Sequence, residues 1–158
     1  MGIVKLPKMN EYEIKTAIEK ENICRIAFID KDFPYIAPFQ YVFLNNTLYF
    51  HITDYGKKKK ILAKNDRICL SIENFKQDLS DYYFISIRGK LEKVTDENEK
   101  QEIILKMVNE ASKKYSANFL SAHGFERKEG WKTFSTEKSI NIFKLIELKK
   151  RIGLQAIK

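Results

Sequence analysis

The residues equipped for chemistry gather between positions 34 and 72. Thr53-Asp54-Tyr55-Gly56 is a polar turn that leads into four consecutive lysines, Lys57 to Lys60, with Ile61 and Leu62 as the first apolar residues of a short helix. Exposed backbone N–H groups at a helix start, the positive end of the helix dipole and nearby ammonium groups together favour an anion, above all a phosphate. The same run also admits a plainer reading as a solvated helix face. His51 stands just ahead of the turn, at the end of Leu48-Tyr49-Phe50, and the only other histidine is His123. His51 can be a half-buried strand residue or a ligand contact. Cys24, in NICRIAF, and Cys69, in RICLSI, sit in separate apolar runs without Cys-x-x-Cys or Cys/His spacing. They read as small buried hydrophobes, not as a disulfide, zinc ligands or a nucleophile with its base. The sequence offers no Ser-His-Asp set, metal cluster or convincing carboxylate pair.

The elements that must hold these residues are strands. Pro34 to Leu44 is rich in β-branched and aromatic residues, Asn45-Asn46 suits a two-residue hairpin turn with left-handed backbone, and Leu48 to Ile52 continues the extended pattern. Pro38 cannot donate to a ladder, so it predicts an edge or a bulge where backbone can face a ligand. Asn10-x-x-Glu13 is a capping box ahead of a helix from about Glu11 to Lys20, which should lie on the outside of a sheet. Ile23 to Ile29 and Arg67 to Glu73 read as strands, and Asn74 to Asp81 as a polar connection. Tyr82 to Val94 is a long strand in which Gly89 predicts a bulge of the kind that curls a sheet into a barrel, with Arg88 and Lys90 solvated beside it. Asp96 to Glu99 caps the longest helix, whose apolar face is Ile103, Ile104, Met107, Val108, Ala111 and Tyr115. Ser116 to Lys132 reads as a surface loop, interrupted by Phe119, Phe125 and Trp131, and Gly124 and Gly130 could hinge it as a lid. Lys138 to Leu148 predicts the last strand. Hairpin-linked strands with helices at the start, middle and late in the chain make an α+β protein with an antiparallel barrel, not a doubly wound sheet.

At 158 residues and 44% hydrophobic, the chain has the size of one domain, residues 1–158, with a proper core. A net charge of +8, mostly lysine, admits nucleic acid, anionic lipid or a phosphorylated small molecule as partner. No apolar run reaches signal-peptide or membrane-spanning length, so a cytoplasmic protein without a membrane partner is expected.

Pro34-Tyr35-Ile36-Ala37-Pro38, the hairpin ending Leu48-Tyr49-Phe50-His51, then Gly56-Lys57-Lys58 and Asn65 ahead of Arg67-Ile68-Cys69-Leu70 resemble the FMN-binding split barrel of the pyridoxamine 5′-phosphate oxidase-like superfamily, and within it the nitroimidazole-resistance branch. Asp66 stands where that branch has proline, and Lys150-Arg151 where a Thr-Gly-Lys is common. The resemblance covers about Asn22 to Val94 and implies a split β-barrel with flanking helices, holding FMN at the interface of a homodimer. It implies that Ile36, Ala37, Pro38, Phe39, Gln40 and Tyr41 run along the isoalloxazine edge. His51, Ile52 and Thr53 would line the ribityl chain, and Lys58 and Lys59 would reach the phosphate. A doubly charged phosphate beside two lysines at a helix start agrees with this transfer.

The expected function is an FMN-dependent oxidoreductase, with a nicotinamide nucleotide as a possible donor and the flavin carrying the chemistry. Oxidation of a pyridoxamine phosphate on the same fold would need C-terminal arginine and histidine contacts that the sequence does not offer. A non-enzymatic flavin or haem carrier is a further alternative. So is a basic nucleic-acid-binding barrel with Tyr41, Tyr49 and Phe50 as stacking platforms, although no RNP-like pattern supports it and no nucleic-acid partner is expected.

Overall fold

Asn45 and Asn46 both adopt left-handed backbone, with φ of 50° and 59°, and close the two-residue turn between β2 (Phe33–Leu44) and β3 (Thr47–His51). That conformation is the one a tight hairpin between right-twisted strands requires. The structure, a computed structural model, describes residues 2–137 and 140–157. β2 and β3 combine with β1 (Ile23–Asp30), β4 (Arg67–Phe75), β5 (Tyr82–Lys93) and β6 (Ile142–Gln155) into a closed antiparallel barrel in the order β1-β2-β3-β6-β5-β4. The fold is the α+β split barrel expected from the sequence.

The split lies in β2. Its residues 33–40 pair with β1, whereas 41–44 pair with β3, so the first half has a strand on one side only. Pro38 sits in that half opposite Arg25, where an edge tolerates a missing N–H. Gly89 is the predicted bulge: the β5–β6 register shifts between Arg88 and Lys90. A Cβ there would lie 2.7 Å from the Ile146 carbonyl oxygen, so only glycine allows the strands to approach as they do.

Alternate strand residues fill the barrel, among them Ile26, Phe28, Phe39, Tyr41, Phe50, Leu70, Ile72 and Ile85. Each such side chain contributes roughly 1.5–3 kcal/mol through burial. α1 (Glu11–Lys20) has its predicted capping box on Asn10 and Glu13 and presses Ile14, Ala17 and Ile18 onto this core. Outside the barrel, α3 (Glu97–Lys114) uses Ile103, Ile104 and Met107 to cover Val42, Tyr49 and Ile142 in a second core. α2 (Gly56–Leu62) is the short lysine-rich helix after β3.

Three expectations change. Ser116 to Lys132 is not a surface loop: it forms 3₁₀ helices at Ala117–His123 and Arg127–Glu129 and leads into α4 (Gly130–Thr136). Leu120, His123 and Phe134 from this flap are buried: Phe134 joins the second core, and His123 and Phe134 pack against His51. The last strand also runs later than predicted. Lys138 and Ser139 lie outside the described residues, and β6 begins at Ile142 and continues to Gln155. Pairing with β5 carries it through Lys149-Lys150-Arg151, whose exposed side chains conceal a strand from an apolar-periodicity reading. Cys69 is half-buried, because it sits on the outer barrel face with Sγ 3.4 Å from Ser86 Oγ, whereas Cys24 is buried as expected. No helix among the described residues is long and apolar enough to cross a membrane.

Candidate functional site

The turn after β3 brings most of the predicted residues to one place. Gly56 takes φ 82° and Tyr55 caps α2 without a side-chain hydrogen bond, so the first amides of the helix are not satisfied by a cap. Of the lysines that follow, Lys57 pairs with Asp30 at 2.9 Å and Lys59 with Asp54 at 2.9 Å. Lys58 forms no ion pair among the described residues. Its ammonium lies 5.2 Å from the centre of the Phe39 ring.

Pro38, Phe39, Gln40, His51, Thr53 and Lys58 line one crevice. Thr53 is also shared with a second cavity of about 260 Å³ that contains Ile52, Asp54, Lys59, Lys93 and Asn141. The two lysines expected to act together thus flank Thr53 on opposite sides. The remaining predicted residues point elsewhere. Ile36 is 61% exposed on the outer face of β2, whereas Ala37 and Tyr41 face the barrel interior. The Tyr41 hydroxyl donates to the Ile18 carbonyl at 2.7 Å. Tyr41, Tyr49 and Phe50 are all buried, so none can be a stacking platform for nucleic acid.

The crevice is closed by residues that periodicity did not mark. Phe119, Ala122 and His123, on the Ala117–His123 turn, form its far wall. The His51 and His123 rings stack with centres 5.4 Å apart, and their Nδ1 atoms meet at 3.2 Å. Phe134 and Trp131 pack edge-on against the pair. Burial lowers the pKa of His51 to about 3, with His123 and Lys58 adding to the effect, and burial followed by Lys58 lowers that of His123 to about 4. Both imidazoles are therefore neutral at pH 7, and one Nδ1–H donates to the other ring's Nδ1 lone pair.

Three buried polar atoms around this pair have no hydrogen-bond partner among the described residues: His123 Nε2, Trp131 Nε1 and Gln40 Oε1. The Gln40 amide nitrogen, by contrast, donates to the Met107 carbonyl at 3.2 Å. Each orphaned group costs about 1–3 kcal/mol, and such costs concentrate where a ligand or a proton is handled. The sequence signal for the flap was limited to its glycine-flanked aromatics.

An FMN fits this site in part. Uncapped amides, Thr53 and the unpaired Lys58 are the groups that would hold a phosphate, whereas Lys59 is held by Asp54 in the neighbouring cavity. The crevice itself holds only about 20 Å³, room for about one water, so a flavin ring enters it only if the Ala117–Thr136 flap shifts.

No curated protein sequence matches the chain. The sequence profile described as pyridoxamine 5′-phosphate oxidase matches residues 10–128. Among solved structures, an FAD-binding protein from Mesorhizobium loti is similar over 98% of this chain and 100% of its own, with a TM-score of 0.70 at 13% identity. A candidate 5-nitroimidazole antibiotic resistance protein from Bacteroides thetaiotaomicron superposes over 98% of this chain and 92% of its own, with a TM-score of 0.66 at 19% identity. The haem storage protein HutZ from Vibrio cholerae superposes over 92% and 94%, with a TM-score of 0.65 at 13% identity. At these identities the likeness in structure establishes the fold alone. The profile match spans most of the chain, from the first helix cap at Asn10 into the flap, and the chain therefore belongs to the pyridoxamine 5′-phosphate oxidase family.

Proposed function

We propose that this chain binds FMN and acts as a flavin-dependent oxidoreductase, as a homodimer in the cytoplasm. The observation that carries the reading is Lys58, a cation without an ion pair among the described residues, on the rim of a crevice built from Pro38, Phe39, Gln40, His51 and Thr53. Family membership and the resemblance to a protein named as FAD-binding and to one named for nitroimidazole resistance support a flavin. FMN, when bound, would supply the hydride or electron transfer, with a nicotinamide nucleotide as donor.

The chain's own part is to bind, orient and exclude. Lys58, Thr53 and the amides at the start of α2 would hold the phosphate, with Lys59 brought over from Asp54. Pro38, Phe39 and Gln40 would set the ring edge. The neutral His51–His123 pair keeps positive charge away from that edge, and the aromatic flap keeps water out. Ile29, Phe33 and Ile36 are exposed by 49%, 80% and 61% along the β1–β2 hairpin, an apolar strip that a second subunit would cover.

A haem-carrier reading draws on the same two histidines and on the resemblance to HutZ. It would require an imidazole free to reach iron, and both rings are buried and bonded to each other. A titration with FMN tests the flavin reading. Replacing Lys58 and Lys59 together by Ala should weaken FMN by about ten-fold or more. Replacing Lys113 and Lys114, which removes the same charge, should change it little. Equal losses in both variants would mean a general electrostatic attraction and no phosphate site.

A further inference from the structure

The 3.2 Å contact between His51 Nδ1 and His123 Nδ1 ties the tautomer of each ring to that of the other. A neutral imidazole carries one proton, so the ring that donates its Nδ1–H keeps a bare Nε2, and the ring that accepts must carry its proton on Nε2. Burial, ahead of the charge on Lys58, keeps both rings neutral. Two arrangements remain: His123 donates and His51 holds Nε2–H, or the reverse.

The flap decides between them. His123 is only 6% exposed, and its Nε2 meets no hydrogen-bond partner among the described residues. A proton there would be a buried donor without an acceptor, a state that proteins avoid more strictly than a bare lone pair. Trp131 has its ring centre 5.7 Å from that of His123, at 73° to it, and its Nε1–H is unpartnered too. An indole nitrogen can only donate, so a lone pair on its neighbour suits it. The orphaned acceptor Gln40 Oε1 belongs to a side chain anchored on α3 through the Met107 carbonyl. His123 therefore donates its Nδ1–H, and His51 carries its proton on Nε2.

His51 Nε2 has no partner among the described residues and is not one of their buried orphans, so it is the ring atom that opens on the crevice. Lys58 stands on the same crevice, whereas the Thr53 hydroxyl already donates to the Tyr55 carbonyl at 3.3 Å. No carboxylate lines this space among the described residues, and its roughly 20 Å³ has room for about one oxygen atom of a ligand. We propose that the crevice takes a single anionic oxygen, which accepts from His51 Nε2–H beside the Lys58 ammonium, and that His123 is the positioning residue that holds His51 in the donating tautomer. A ligand with only N–H groups to offer would meet two donors instead. His51, His123, Lys58 and Trp131 stand on β3, α2 and the flap, so a second subunit over the Ile29, Phe33 and Ile36 strip would leave them in place. The oxygen can come from FMN or from a separate small anion. The site shares its crevice with the flavin reading, yet the protein without FMN already tests it.

Proton–nitrogen correlation spectra of the two imidazoles, recorded on isotope-labelled protein without FMN at pH 7, locate each ring proton. We expect His51 protonated on Nε2, His123 protonated on Nδ1, and a scalar coupling between the two Nδ1 nuclei across the shared proton. Formate is the probe, and methylammonium, of similar size but able only to donate, is its control. Formate should move the His51 Nε2 proton downfield and methylammonium should not. His123→Leu should weaken formate by about five-fold or more, whereas His123→Gln, whose amide N–H can take over the donation to His51 Nδ1, should stay within about two-fold of the native protein. FMN then separates the sources. A shift produced by FMN that excludes formate supports an oxygen of the cofactor, and formate binding to the FMN-loaded protein supports one of a second ligand. If formate moves the proton but FMN does not bind, the flavin reading fails and this site stands. The proposal is overturned if His51 carries its proton on Nδ1, if formate leaves the Nε2 proton unmoved, or if the Leu and Gln variants weaken formate alike.

Discussion

His51 and His123 show how a residue pair can be set by its surroundings. Neither has an acidic neighbour to support a charge, Lys58 opposes one, and burial disfavours it, so both titrate well below the ordinary histidine value of 6.5. The unfolded chain therefore binds protons at a pH where the folded chain does not. The stability that follows from this is fully present above about pH 6.5 and is lost as pH falls through about 4 for His123 and about 3 for His51. Each unit below 6.5 removes at most about 1.4 kcal/mol per histidine, less once the first protonation raises the cost of the second. Urea midpoints between about pH 6.5 and pH 5, a window above most carboxylate titration, check this. The native protein should lose stability more steeply than a His51→Phe/His123→Leu variant, and equal slopes would show that the pair is not held neutral.

At the scale of elements, Gly89 is the residue whose change should do most damage for its size. An added methyl meets the Ile146 carbonyl oxygen at 2.7 Å and Leu145 Cδ1 at 2.9 Å, and the oxygen belongs to backbone that cannot rotate away. Gly89→Ala should cost about 1–3 kcal/mol in chemical denaturation. An unchanged midpoint would mean that the bulge relaxes freely. The flap makes a second prediction. Because the crevice has room for little more than a water, FMN should enter only as Ala117–Thr136 moves, and hydrogen exchange in that segment should change on loading while exchange in β4 and β5 does not. No change in the flap would place the ring wholly outside the crevice.

The same elements mark how far the sequence could be read. The β2–β3 hairpin, the Gly89 bulge, the α1 capping box and the lysine turn were legible because each rests on neighbours within a few residues: Asn45 beside Asn46, Asn10 three before Glu13, Gly56 before Lys57. The flap was not, because its order depends on His123 meeting a histidine 72 residues away. Lys58 and Lys59 could be placed on the right helix from sequence. Their division between two cavities could not, because it follows from Asp54 capturing one of them.

For the whole molecule, the proposed homodimer rests on the open half of β2 and the exposed strip at Ile29, Phe33 and Ile36. A phosphate cradle on one subunit and an apolar strip beside the ring edge would then belong to one composite site. Sedimentation velocity of the FMN-loaded protein, recorded both in the visible flavin band and in the aromatic absorption band, tests this central claim most directly. We expect a single boundary of twice the chain mass carrying one flavin per chain. Flavin sedimenting free of the protein, or travelling with a stable species of single-chain mass, would contradict the account.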